Sequence, residues 1–187
     1  MSQGRKHHTG QQLREARRIG AFTAGKMTRP VGTIKKEIRI LGLDTCNPML
    51  TTGVIVRGGA YLDGVLSIPS SRNDVSRTFA KRIIESAYFP ELRAIMVHVP
   101  DDQLDPTVVE RLTKLPTMVI SKDKPNDGRG YQCFQGDLGR LWLKTRLEST
   151  TLKKILSVSW TTGKLPEPLR VAHLLAKLKA QNQTLMR

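Results

Sequence analysis

Glu37-Ile38-Arg39-Ile40-Leu41-Gly42-Leu43-Asp44 is the stretch that decides the fold. Charged and apolar residues alternate in it and then give way to an apolar run, the pattern of a strand entering a core. Thr51-Thr52-Gly53-Val54-Ile55-Val56-Arg57 reads as a second strand, and Gly58-Gly59 as a turn. Ala60-Tyr61-Leu62-Asp63-Gly64-Val65-Leu66-Ser67-Ile68 returns as a third. Each link is short, so the three form an antiparallel meander.

Downstream, Ser70 or Ser71 is placed to cap a helix on which Val75, Phe79, Ile83 and Ala87 recur every four residues. Arg72, Arg77, Lys81 and Arg82 fall largely off that stripe. Residues 92–99 read as a fourth strand, 106–115 as a short helix and 117–121 as a fifth strand. Strand-helix-strand-helix-strand succession implies parallel crossovers. Residues 122–130 form a polar loop with Pro125, Gly128 and Gly130. Residues 131–149 read as a weakly patterned helix and 154–160 as one more strand. A last helix is expected over 167–181, with Val171, Leu174, Leu175 and Leu178 on one face. These elements make an α/β domain over residues 35–187, with no internal repeat and no heptads.

Residues 1–34 have a different composition, rich in Gly, Arg, Lys, Gln, Thr and His, and cannot build a core. They read as a basic arm, irregular or partly helical around Leu13 to Ile19. The chain of 187 residues carries 31 Lys and Arg against 16 Asp and Glu, a net charge of +15. Arg5, Lys6, Arg14, Arg17, Arg18, Lys26 and Arg29 face Glu15 alone within the first thirty residues. Arg72, Arg77, Lys81 and Arg170 extend the basic set onto the body, and Lys153, Lys154, Lys164, Lys177, Lys179 and Arg187 make the C-terminal third basic. A field of this sign attracts polyanions, and its contacts neutralise phosphate without reading base identity.

The aromatic content of 5% argues against a base-stacking sheet, and no helix-turn-helix or zinc finger is visible. An arm joined to a compact body suits folded RNA, where it can thread between helices, a composition common among ribosomal proteins. The expected partners are therefore RNA, foremost ribosomal RNA, and ribosomal proteins. A DNA-repair or nucleoid accessory role without catalysis is a weaker alternative. Cys46 and Cys133 make neither a disulfide framework nor a paired-cysteine metal spacing. A reducing, cytoplasmic setting is expected. No apolar run approaches the ~20 residues that span a bilayer, and the N-terminus has no apolar signal core. There is no Gly-x-Ser-x-Gly elbow, P-loop or His-Glu-x-x-His, and no small-molecule cofactor is expected.

Gly42-Leu43-Asp44, the run from Arg57 to Leu66 and Pro166-Glu167-Pro168-Leu169-Arg170-Val171-Ala172-His173-Leu174-Leu175-Ala176 share their order and spacing with a known family. Together they resemble the largely archaeal, poorly characterised family related to endonuclease V, sometimes called "endonuclease dubious". The similarity spans roughly residues 36–178 and leaves the arm outside. It implies an RNase H-like mixed sheet flanked by helices. It also implies an Asp at the end of the first strand that holds Mg²⁺ or Mn²⁺, a place taken here by Asp44. Asp63 and Asp74 match two further acidic positions.

Phosphodiester cleavage with such ions needs a cluster of carboxylates. This chain departs from the family's set. Thr45 stands where a second acid is usual, and His98-Val99 stands where the fourth strand usually ends in Asp-Gly. Two readings follow. In one, Asp44, Asp63 and one of Asp74, Asp101 or Asp102 still hold metal, with His98 as a substitute ligand; the chain is then a nuclease for modified or deaminated nucleic acid. In the other, the site has decayed and the fold serves as a non-catalytic, RNA-binding scaffold. The two lost acids favour the second.

Overall fold

The structure, a computed structural model, describes residues 28–47, 49–69, 74–98 and 104–185. The meander forms as expected: β1 (Arg39–Asn47), β2 (Leu50–Arg57) and β3 (Tyr61–Pro69) pair antiparallel in sequence. Gly58 turns the β2–β3 hairpin at φ +64°, and a Cβ there would come within 2.4 Å of the Lys36 carbonyl oxygen, so glycine alone fits. Helix α1 (Val75–Ile84) then leads to β4 (Leu92–His98), and α2 (Pro106–Thr113) to β5 (Thr117–Ser121). β4 lies parallel to β1, and β5 parallel to β4, as crossovers require.

The next two elements reverse the sequence expectation. Residues 132–144 are not helical but form a hairpin, β6 (Gln132–Gly136) and β7 (Gly139–Lys144). Leu141 and Leu143 are buried while Arg140 is exposed and Trp142 half-buried, a period of two. β7 attaches antiparallel to β5 through the Ile120–Leu143 pair and completes a seven-stranded sheet of order β3-β2-β1-β4-β5-β7-β6. The segment expected as a strand at 154–160 belongs instead to helix α3 (Ser149–Ser159), because Leu152, Ile155, Leu156 and Ser159 recur at helical spacing and are the residues it buries. The last helix, α4 (Glu167–Leu185), is present.

Strand alternation splits the core into two layers. Leu41, Leu43, Ile95 and Val97 point to the side covered by α1 and α2. Ile40, Ala94, Met96, Met118 and Leu141 point to the side covered by α3 and the start of α4. Side chains such as Ile40, Leu41, Ile95 and Met118 are wholly buried, each contributing about 1.5–3 kcal/mol.

Other details depart from expectation. Asp74 is the N-cap of α1, its carboxylate accepting from the Arg77 N–H; Ser70 and Ser71 lie outside the described residues. Ala87 lies past the end of α1 and is exposed. On α4, Leu169, Ala172 and Ala176 are wholly buried, whereas Leu174 and Leu178 are 47% and 55% exposed. Packing begins before residue 35: the Arg29 N–H bonds the Lys114 carbonyl at 2.6 Å, its guanidinium lies over the Phe89 ring, and Val31 is buried in the α3-side core.

Candidate functional site

The site is set by how closely α4 lies on β1. A Cβ at Gly42 would sit 2.3 Å from the backbone carbon and oxygen of Pro168, so only a hydrogen there lets the helix start touch the strand. Two residues farther along β1, on the same face, stands Asp44; four residues farther along α4 than Leu169 stands His173. These advances are both about 6–7 Å. The close contact at Gly42 therefore delivers the imidazole to the carboxylate, and His173 Nδ1 lies 3.1 Å from Asp44 Oδ2.

Adjacent β4 supplies the second imidazole. Its residues Ala94 and Met96 face α3 and α4, so His98 does too, one step beyond the Leu43–Val97 pair. His98 Nδ1 lies 3.4 Å from the same Oδ2. The other oxygen, Oδ1, accepts the Cys46 N–H at 2.9 Å, which turns Oδ2 toward the two rings. The rings meet edge to face with centroids 5.8 Å apart. Between Asp44 and Asn47 the β1–β2 register shifts, and Asn47 also reaches α4, donating to the Ala176 carbonyl at 3.2 Å. An irregularity of this kind re-aims side chains beside a site.

Asp44 is 1% exposed. Burial alone would raise its pKa, but hydrogen bonds from His98 and Cys46 and the charge of His173 outweigh it and hold the carboxyl well below the usual carboxylate range. Asp44 is thus an anion. Across β2, Thr52 pairs with Asp44 and lies fully buried; its Oγ1 has no hydrogen-bond partner. Ser67 pairs with Thr52 on β3, and Lys179 of α4 donates to the Ser67 Oγ at 2.6 Å. A polar row thus runs across the sheet from Ser67 through Thr52 and Asp44 to His98.

The other acidic positions are elsewhere. Asp63 sits at the far end of β3, where Arg39 Nε holds it at 2.7 Å and Arg57 Nε lies 3.4 Å away. Asp74 is occupied with capping α1 and with the Arg77 guanidinium at 2.6 Å. Asp101 and Asp102 lie outside the described residues. Within those described, the metal-ligating atoms found within 4.8 Å of one another belong to Asp44, Cys46 and His173, a set with one carboxylate. The Mg²⁺ or Mn²⁺ ions that the resemblance implies need several oxygen donors. These residues do not fit them.

His98 was legible from its place at the end of the fourth strand. His173 and Cys46 were not singled out. The available signal for His173 was its position at the flank of the Leu169, Ala172, Ala176 stripe, inside the segment that carries the resemblance.

Of the cationic positions named from sequence, Arg5, Lys6, Arg14, Arg17, Arg18, Lys26 and Arg72 lie outside the described residues. Arg29 is docked on Phe89. Arg77 and Lys81 are exposed, with Asp74 and Glu85 as surface partners. Arg170 is held by both oxygens of Glu167, at 2.7 and 2.6 Å. None of the described helices is long and apolar enough to cross a membrane.

No family model matches the chain. The UPF0215 protein of Methanosarcina barkeri is 25% identical over 176 residues, covering 76% of this chain and 91% of its own length. A protein of unknown function from Archaeoglobus fulgidus has a similar structure, with a TM-score of 0.62 and 21% identity over 75% of this chain and 96% of that one. Endonuclease V of Ciona intestinalis, solved with a 24mer DNA containing an inosine followed by a ribo-adenosine, gives 0.50 at 12% identity over 77% and 86%. Its likeness concerns the fold: a meander, two parallel crossovers and helices on both faces. The chain is similar in sequence to archaeal UPF0215 proteins, and it has an endonuclease V-like, RNase H-like α/β fold.

Proposed function

We propose that this chain is a non-catalytic nucleic-acid-binding protein on a nuclease-like scaffold, with RNA, foremost ribosomal RNA, as its partner. The observation that carries the reading is that, among the described residues, Asp44 faces two imidazoles rather than further carboxylates, in a chain with a net charge of +15. The first feature leaves the carboxylate set short of what divalent-metal phosphodiester cleavage uses. The second supplies sequence-independent affinity for phosphate. On the body, Lys81 and Arg82 line a groove of about 400 Å³ with Ser67, Pro69, Thr78 and Glu85, the last of these paired with Lys81, and Lys179 reaches Ser67 from α4. The arm adds its own cations.

The test is a binding and co-sedimentation experiment at moderate salt. The protein is expected to travel with ribosomal subunits and to prefer structured RNA to duplex DNA at equal salt. Persistence as a free monomer in the presence of subunits would overturn the ribosomal part, and a preference for duplex DNA the RNA part. A second reading, a metal-dependent nuclease acting on deaminated bases, draws on the likeness to endonuclease V and on the position of Asp44. Cleavage of inosine-containing nucleic acid with Mg²⁺ or Mn²⁺, abolished by Asp44→Ala, would establish it in place of the first.

A further inference from the structure

We propose that Asp44, His98 and His173, with Cys46 at the rim, form a site for one divalent cation of the zinc class. The inference is independent of what nucleic acid the chain binds. It concerns two of the four histidines in the sequence; the other two, His7 and His8, are in the arm.

Three elements remote in sequence converge here. β1 brings Asp44 and Cys46, β4 brings His98 and α4 brings His173. Asp44 Oδ2 is 3.1 Å from His173 Nδ1 and 3.4 Å from His98 Nδ1. Donors bound at about 2.0–2.1 Å around a tetrahedral Zn²⁺ lie roughly 3.4 Å from one another, so both separations to Oδ2 match edges of such a tetrahedron, while His98, which is not in the set whose ligand atoms all lie within 4.8 Å, must swing toward the others to complete the four. The side-chain ligand atoms of Asp44, Cys46 and His173 all lie within 4.8 Å of one another, and Cys46 is exposed while Asp44 is buried. The site is closed on the sheet side and open at the sulfur.

The donor chemistry selects the ion. Imidazole and thiolate are ligands for Zn²⁺ and its first-row neighbours, whereas Mg²⁺ and Ca²⁺ need oxygen. One carboxylate and one thiolate offset the two charges of the cation. A second, independent observation is the buried Thr52 hydroxyl opposite Asp44, which lacks a protein partner and shares the face on which the imidazoles converge. It is placed to bond a ligand oxygen or a water there. Hydrogen bonding can place both imidazoles on Oδ2, which has two lone pairs; it gives no reason for a sulfur within 4.8 Å of the same carboxylate and imidazole.

The experiment uses the full chain carrying His7→Ala and His8→Ala, stripped with chelator and titrated with Zn²⁺ against a chromophoric competitor, and with Co²⁺ by absorption. One equivalent per chain is expected, unaffected by excess Mg²⁺. Co²⁺ should give the intense visible bands of a tetrahedral centre and a sulfur charge-transfer band that vanishes in Cys46→Ser. His98→Ala and His173→Ala should each weaken Zn²⁺ binding at least tenfold, with the metal-free circular dichroism unchanged. Should either alanine variant fail to fold, the corresponding glutamine variant carries the comparison. No stoichiometric binding, affinity unchanged in both histidine variants, or displacement by equimolar Mg²⁺ would overturn the proposal.

Discussion

At Gly42 the absence of a methyl group decides where α4 lies. The atoms a Cβ would meet, at 2.3 Å, are the Pro168 carbonyl carbon and oxygen, which belong to backbone and cannot rotate away. Gly42→Ala must lift the start of the helix and with it His173. A destabilisation of about 1–3 kcal/mol is expected from overpacking, read from the denaturant midpoint. A second residue reports on pH. Glu110 of α2 is 5% exposed, and burial raises its pKa against the opposing charge of Arg146 and a hydrogen bond at Thr117. A carboxyl raised in the folded state contributes least when ionised, so stability is lost as pH rises from the ordinary Glu value of about 4.3 through the raised one. Glu110→Gln keeps an acceptor and removes the charge. Its midpoint should match the parent at low pH and exceed it increasingly toward neutrality; a constant difference across pH would refute the assignment.

Element by element, what a reader of the sequence could see follows from where periodicity is strong. Residues 38–68 alternate or run apolar between obvious turns, so the meander was plain, and Asp44 could be placed at its edge. Lys154 to Trp160 misled because Ile155, Val158 and Trp160 are good strand formers; the helix is decided by tertiary burial of Leu152, Ile155 and Leu156. The β6–β7 hairpin was hidden because its strands are short and β6 is largely exposed. The cluster around Asp44 was only partly legible, since no sequence spacing links Asp44, His98 and His173; the register of β4 on β1 and the docking of α4 do. On α4 the apolar residues with the strongest sequence signal are not all inward. Leu174 and Leu178 are exposed, whereas Leu169 and Ala172 pack on the sheet. Leu169→Ala should therefore cost about 2–5 kcal/mol. Leu174→Gln should stay within about 0.5 kcal/mol. Equal costs for the two would mean that the face is assigned wrongly.

Over the whole molecule, charge and fold are separable. The two core layers account for folding, and the described packing begins at Arg29 and Val31. The excess of +15 contributes self-repulsion, which a folded chain tolerates more readily when a polyanion offsets it. This gives a quantitative expectation for the arm. Each phosphate contact releases condensed counterions, so the logarithm of affinity falls with the logarithm of salt by about 0.7 to 0.9 per contact. Replacing Arg14, Arg17 and Arg18 by Gln in the full-length protein removes three cations from the segment with the greatest local excess. If all three touch phosphate, the slope should fall by about 2 to 3, with the largest loss of affinity at low salt. The melting midpoint of the free protein, taken alongside, reports whether the body is intact. Neutralising Lys81 and Arg82 instead should change the slope by up to about 2, because the groove between α1 and β3 offers two cations. An unchanged slope in the arm variant, with a reduced slope in the groove variant, would place the polyanion on the body and remove the arm from the binding surface.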